Sequence, residues 1–305
     1  MNKLQANLCL IIVTICWSAE VIVFSCIPGD IIPFATTTIT NGIAAIILGL
    51  FFFKRLRDEL NRSSKKFILR CFILGVLNCS YNALFLYGLG YLDVSSGAFS
   101  YSLIIVVLPF ILLLMRKKVE KKTWISVILA LSGILVALGP TLNSIEDLIG
   151  ILIMLAGCVL RAVSIVKLNE YTQEHDPVSV STFISFFVAI ISFFVWGIMQ
   201  PRVFWEIEWS STAIASLFVY AYFIIVFAQT LNVFAQKRTT PTNATIIYSL
   251  EIVFSLIWGA VLPATLINRV IPSPLQIVGA VLIVAGSIVE IFDFKVKRRK
   301  QINAA

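Results

Sequence analysis

The chain has little of what soluble proteins carry on their surfaces. Only 13% of its 305 residues are charged, and its mean hydropathy is +0.96. Soluble domains carry about 25% charge. It has a single histidine, His175, in a polar connection, which excludes a multi-histidine metal site. Its six cysteines (Cys9, Cys16, Cys26, Cys71, Cys79, Cys158) show no Cys-x-x-Cys spacing. They lie in or beside apolar runs and read as small hydrophobes. There is no phosphate loop, nucleotide-binding signature or nucleophile–base pair. These absences exclude an ATPase domain within the chain, argue against an enzyme and imply no cofactor and no metal.

What the chain does have is apolar length. Hydrophobic residues make up 59% of it. Ten runs are long enough to cross about 30 Å of hydrocarbon. They cover residues 7–27, 31–53, 67–90, 93–115, 122–140, 148–168, 177–200, 210–235, 241–265 and 272–292. The connections are mostly short, as at Pro28-Gly29-Asp30 and Leu92-Asp93. The first run follows Lys3 and superficially resembles a signal peptide. It is too long for one, carries Glu20 and lacks a small-x-small cleavage site, so it is expected to be a retained helix.

The net charge of +8 comes from basic residues placed between the runs. Of 24 lysines and arginines, 21 fall on one side of the membrane if the runs alternate. Two, Arg202 and Arg269, fall on the other, and Arg161 lies within a run. The positive-inside rule then puts both termini in the cytoplasm. The basic tail, 296–305, reads as a topology anchor and not as a nucleic-acid patch. Trp205 and Trp209, beside Glu206 and Glu208, read as an interface belt.

The chain also repeats itself. Tyr101-Ser102-Leu103-Ile104-Ile105-Val106 recurs as Tyr248-Ser249-Leu250-Glu251-Ile252-Val253. Ile128-Leu129-Ala130-Leu131-Ser132-Gly133 parallels Val281-Leu282-Ile283-Val284-Ala285-Gly286. The offsets are 147 and 153, the difference falling in the connection around Asn268–Pro274. The expectation is an all-α integral membrane protein of ten transmembrane helices. They form two inverted five-helix repeats, 1–146 and 147–295. Inverted repeats around a central site are a recurring plan of secondary transporters.

Three charged side chains fall near the middle of runs: Glu20, Arg161 and Glu251. Facing lipid they would together cost about 9 kcal/mol, so they are expected to face the bundle interior. Around Glu20, Cys9, Cys16 and Trp17 share a helical face, while Thr14, Ser18 and Ser25 form a stripe nearly opposite. Small residues suit close helix packing, so the Glu20 face is expected to line a cavity. Burial favours the neutral form of a carboxyl, which makes Glu20 a candidate for proton coupling or for holding an ammonium. Arg161 has the fork that suits a carboxylate or phosphate. Glu20 and Arg161 together suit the two ends of a zwitterion; alternatively, Arg161 pairs with a carboxylate of its own protein. The repeat mate of Glu251 is Ile104, so only one copy carries that charge. Asn78, Tyr81 and Asn82 cluster in the third run, Tyr220, Tyr222, Gln229 and Asn232 in the eighth, and Tyr101 and Tyr248 are repeat mates. Such residues mostly bond between helices, and they also suit an amphipathic metabolite.

Over nearly its whole length the chain is similar to the ten-helix EamA-type transporters of the drug/metabolite transporter superfamily. The likeness rests on Trp17-Ser18, on Tyr248-Ser249-Leu250-Glu251 where the family often has Leu-Glu-Pro, and on the glycines Gly133, Gly279 and Gly286. Because the family commonly has glutamate at the position of Glu251, the resemblance implies an architectural role for it first, bonding a helix end or Arg161, while Ile252 departs from the family's frequent proline. Glu120 matches a family Gly-Glu after the fourth helix, whereas Pro263–Asn268 has no counterpart of the second one. The resemblance implies a multi-pass carrier in a bacterial inner membrane, driven by a gradient, with a small-molecule substrate. Amino acids, other metabolites and xenobiotics are all within the family's range. The expectation is a metabolite exporter, most simply of amino acids, with organic cations as the alternative. Its partners are lipid and substrate, and it acts as a monomer or homodimer.

Overall fold

A computed structural model describes residues 2–20, 33–92, 94–139, 144–199, 210–261 and 272–291. The end of the first run, Ser25, Cys26, the Pro28-Gly29-Asp30 turn and Asp93 lie outside these residues. So do the Trp205–Trp209 belt, Arg202, Arg269, Pro263–Asn268 and the basic tail. Among the described residues every regular element is helical.

Helix α1 (Lys3–Ser18) starts on a capping box: the Asn2 side chain accepts from the Gln5 amide, and Gln5 reaches back to the Asn2 amide. Helix α2 (Pro33–Phe51) runs almost directly into α3 (Phe53–Leu89). At 37 residues α3 begins well before the predicted start at residue 67, because its polar first turns continue the helix beyond the apolar run. Next come α4 (Val94–Tyr101), α5 (Ile104–Leu114) and α6 (Lys121–Leu138). Helix α7 (Ile145–Glu174) opens on a second capping box, Ser144 with Asp147. Asp176 accepts from the Ser179 amide to start α8 (Pro177–Met199). The next rod is continuous but changes winding: α9 (Ser211–Val219), a π-helical stretch (Tyr220–Gln229), then α10 (Thr230–Gln236). Thr240 caps α11 (Pro241–Tyr248), and α12 (Glu251–Val261) and α13 (Pro274–Ile291) complete the described chain.

By length and composition, six helices among the described residues suffice to cross a membrane. They are Phe34–Phe51, Lys65–Gly88, Lys121–Leu138, Ile145–Glu174, Pro177–Met199 and Ser211–Gln236. Their outward faces are apolar: Ile46, Leu69, Phe194 and Ile198 are all exposed. Buried positions, in contrast, include many polar residues, among them Thr14, Thr40, Ser179, Ser181 and Arg161. This is the reverse of a soluble core and its shell, and it suits lipid as the outer solvent.

Two expected spans are not single helices. The run 93–115 breaks at Ser102-Leu103, and the run 241–265 breaks at Ser249-Leu250. At the first break Ser102 and Leu103 donate to carbonyls three residues back, at 3.1 Å each. At the second, Leu250 donates to Ile247 at 3.1 Å. The tighter bonding turns the chain at the same residue pair in each run. Interior packing couples α6 to α13, α3 to α7, α2 to α8, and α1 to the α9–π–α10 rod and to α11 and α12. The predicted small stripe on α1 is packed, with Thr14 and Ser18 buried. Cys71, Cys79 and Cys158 are buried free thiols.

Candidate functional site

A cavity of about 420 Å³ opens between α1, α2, α3, α4, α7, α8, the π-helical stretch and α12. Nine of the predicted site residues are on its wall: Glu20, Arg161, Glu251, Trp17, Asn78, Tyr81, Asn82, Tyr101 and Gln229. The tenth, Tyr248, stands behind the wall. Its ring lies 5.2 Å from that of Trp17, and its hydroxyl donates to Asn232 and accepts from Gln236 at 2.9 Å.

The electrostatic centre is Arg161 on α7, which is only 4% exposed. Its guanidinium carbon lies 3.9 Å from the centre of the Tyr101 ring. The rings of Trp17 and Tyr248 are each 5.8 Å away. Tyr101 and Tyr248 end α4 and α11, so the last residue before each helix break contributes a ring to one cage. Such rings hold a cation by its charge without using its hydrogen-bond donors. Glu251, the first residue of α12, places an oxygen 4.0 Å from Arg161 Nη2. That is an ion pair but too long for a hydrogen bond. Arg161 Nη1 is buried and has no hydrogen-bond partner among the described residues. A buried guanidinium donor left open costs free energy until an acceptor reaches it.

Glu20 takes a different partner. It accepts a hydrogen bond from the Tyr220 hydroxyl at 2.5 Å, across from α1 to the π-helical stretch. Both carboxylates therefore share the cavity with Arg161. The neutral cluster on α3 is partly self-satisfied: Tyr81 donates to Asn78 at 2.6 Å, and Asn78 donates to Leu74 O at 2.7 Å. The side chains of Asn82 and Gln229 make no hydrogen bond among the described residues. Phe85 stacks on Tyr101 at 4.0 Å and, with Leu86, Ile184 and Val188, supplies apolar wall. No group of His, Cys, Asp and Glu able to hold a metal occurs among the described residues.

Reading from the sequence missed one part of the wall. Thr36, Thr37, Thr40 and Asn41 of α2 also line the cavity. The signal was available: Thr36-Thr37-Thr38-Ile39-Thr40-Asn41 is a hydroxyl-rich run inside an apolar span. Thr38 and Thr40 return their hydroxyl protons to carbonyls four residues back, which hides their polarity from the helix but leaves their oxygens as acceptors.

Away from the cavity the helices are tied together by side-chain hydrogen bonds. Asn243 of α11 donates to Asn7 of α1 at 2.7 Å. Asn169 of α7 donates to the carbonyls of Gln236 and Thr239 at 2.6 and 2.9 Å. Gln173 donates to Lys237 O at 3.2 Å. Beside this seam the lone histidine, His175, is buried. It pairs with Glu59 at 2.6 Å and meets Arg70 at 3.0 Å.

A polar, charged cavity inside a bundle whose outside is apolar is the arrangement a membrane transporter requires. The chain belongs to the EamA-like transporter family: the family model matches it twice, over residues 4–139 and 148–291. It is similar to a protein described as an uncharacterized transporter from Archaeoglobus fulgidus. The two are 26% identical over 290 residues, covering 95% of this chain and 86% of the relative. In fold it is similar to a protein of known crystal structure, with a TM-score of 0.70 at 18% identity, over 94% of this chain and 96% of the other. The protein is thus a multi-pass membrane transporter.

Proposed function

We propose that the protein is a secondary transporter of an amino acid or closely related zwitterion, working by alternating access. The observation that carries this reading is Arg161 on the wall of a cavity that also holds Glu20 and Glu251, with its Nη1 lacking a hydrogen-bond partner among the described residues. Arg161 receives the substrate carboxylate. Glu20, oriented by Tyr220, receives the ammonium and exchanges it for a proton on the other half of the cycle. A proton gradient then drives export, and the chain itself is no enzyme. It works in a bacterial inner membrane, as a monomer or homodimer.

The transport plan is ten membrane helices in two inverted repeats, 1–146 and 147–295, with both termini cytoplasmic. Several features support it. The two helix breaks sit 147 residues apart, on Ser-Leu in both cases. Contacts exchange under the repeat: α3 with α7 answers to the α9–π–α10 rod with α1, while α2 with α8 and α6 with α13 answer to themselves. A Cβ on Gly133 would meet Gly279 O at 2.5 Å, and one on Gly286 would meet Ser126 O at 2.9 Å. Shifted by the 153-residue offset, these are the same contact. With the termini inside, the cavity lies in the outer half and the Asn7–Asn243 and Asn169 seam closes the inner half. That describes an outward-facing state.

A second reading, transport of an organic cation, draws on the Arg161–Glu251 pair. At 4.0 Å the pair neutralises itself and leaves Glu20, bonded to Tyr220, as a cavity carboxylate with no ion pair among the described residues. The test is a thermal-shift screen of detergent-purified protein against amino acids and amines at two pH values. Stabilisation by amino acids and not by their amines is expected. The reverse order overturns the zwitterion in favour of the cation.

A further inference from the structure

The rod Ser211–Gln236 contains ten residues of π-helix, Tyr220–Gln229. The winding decides which side chains face the cavity. Tyr220, Ile224, Ile225 and Gln229 line it. In an α-helix, nine positions at about 100° each put the last residue on the face opposite the first. Gln229 and Tyr220 would then point in opposite directions, and position 227 would return beneath Tyr220. A π-helix closes its bonds five residues apart, so its turn is wider and a face repeats every four to five residues. That spacing carries the cavity face through Tyr220, the Ile224/Ile225 pair and Gln229. It turns Phe227 outward, where it is 45% exposed on the lipid-facing side.

Gln229 reaches the wall with its amide uncommitted. Asn82, on α3, is in the same condition. Other amides in the bundle are tied up: Asn78 with Leu74 O, Asn232 and Gln236 with Tyr248, and Asn243 with Asn7. Two free amides on one cavity wall need acceptors and donors once water is excluded by closure.

We propose that Gln229 is a specificity-determining residue, placed in the site by the π-helical winding, and that with Asn82 it reads an uncharged hydrogen-bonding group on the substrate. This rests on the reading of the cavity as a zwitterion site, in which Arg161 and Glu20 take the two charged ends. The side chain is what remains for the amides. A substrate with a hydroxyl or amide side chain satisfies them on occlusion, and its apolar isostere leaves them unpaired. Discrimination from such unpaired groups is larger than discrimination by size.

The placement is tested without any substrate. In a background with the native cysteines replaced, Tyr220→Cys, Phe227→Cys and Gln229→Cys are challenged with a membrane-impermeant, hydrophilic methanethiosulfonate. Labelling at 220 and 229 but not at 227 is expected. Labelling at 227 in place of 229 means α winding and overturns the proposal. The reading role is tested by binding of isosteric pairs, threonine against valine and asparagine against leucine. The polar member should bind about ten-fold tighter, and Gln229→Leu or the closer mimic Gln229→Met should bring that ratio toward one. A ratio that either variant leaves intact, in protein that still elutes as a folded species, overturns the role. If no amino acid binds while position 229 labels as expected, the winding stands and the zwitterion reading falls, taking the reading role with it.

Discussion

Arg161 keeps its charge at any pH the protein meets, so its surroundings must answer for it at all times. Three rings and one carboxylate at 4.0 Å do part of this, while its buried Nη1 has no hydrogen-bond partner among the described residues; a substrate carboxylate is proposed to supply the remainder. Arg161→Lys retains the charge but loses the fork. Binding should weaken about ten-fold, and about a hundred-fold for Arg161→Ala, measured by titration calorimetry on folded protein. Tyr220→Phe removes only the hydroxyl that holds Glu20. We expect a loss of about 1–3 kcal/mol in stability, seen as a lower melting temperature, with the change much reduced in a Glu20→Ala background, which lacks the acceptor. These charged residues were legible in the sequence because each stands alone in an apolar run. The Thr36–Asn41 wall was equally visible as letters, but threonine returns its hydroxyl to its own helix and is a common tenant of membrane spans.

Helices α6 and α13 approach closely where they cross. A Cβ on Gly133 or Gly279 would meet the other's carbonyl oxygen at 2.5 Å, with backbone on both sides. Gly133→Val and Gly279→Val should each cost about 1–3 kcal/mol by forcing the helices apart. Gly42→Ala, with nothing within 4 Å of its added methyl group, should be neutral, measured by thermal unfolding in detergent. Existence and order of the helices follow from apolar length, which is why the runs could be found from sequence. Winding and breaks do not. The π-helical stretch, Tyr-Ala-Tyr-Phe-Ile-Ile-Val-Phe-Ala-Gln, is apolar on nearly every side, so no periodicity distinguishes α from π. The Ser-Leu breaks carry neither glycine nor proline, the usual marks of an interrupted helix. Their position became meaningful only through the repeat.

For the whole molecule, the proposed plan of two opposed halves requires that closure at one end accompany opening at the other. The Asn7–Asn243 bond and the Asn169 bonds to the Gln236 and Thr239 carbonyls hold one end shut. Asn7→Ala and Asn243→Ala should show a coupling of about 0.6–1.7 kcal/mol in a double-mutant cycle. Asn169→Ala should also slow labelling of the Gln229→Cys variant from outside, because the population shifts away from the open cavity. An unchanged rate would mean that this seam does not gate access.

The most direct measurement compares one ligand with its own decarboxylated amine. The best-binding amino acid of the panel and that amine are titrated into purified protein and into Arg161→Ala. A carboxylate seated on Arg161 predicts that the amine binds at least ten-fold more weakly to the intact protein, and that the gap closes in Arg161→Ala. An amine that binds as tightly as the amino acid, or a gap that survives loss of Arg161, would contradict it.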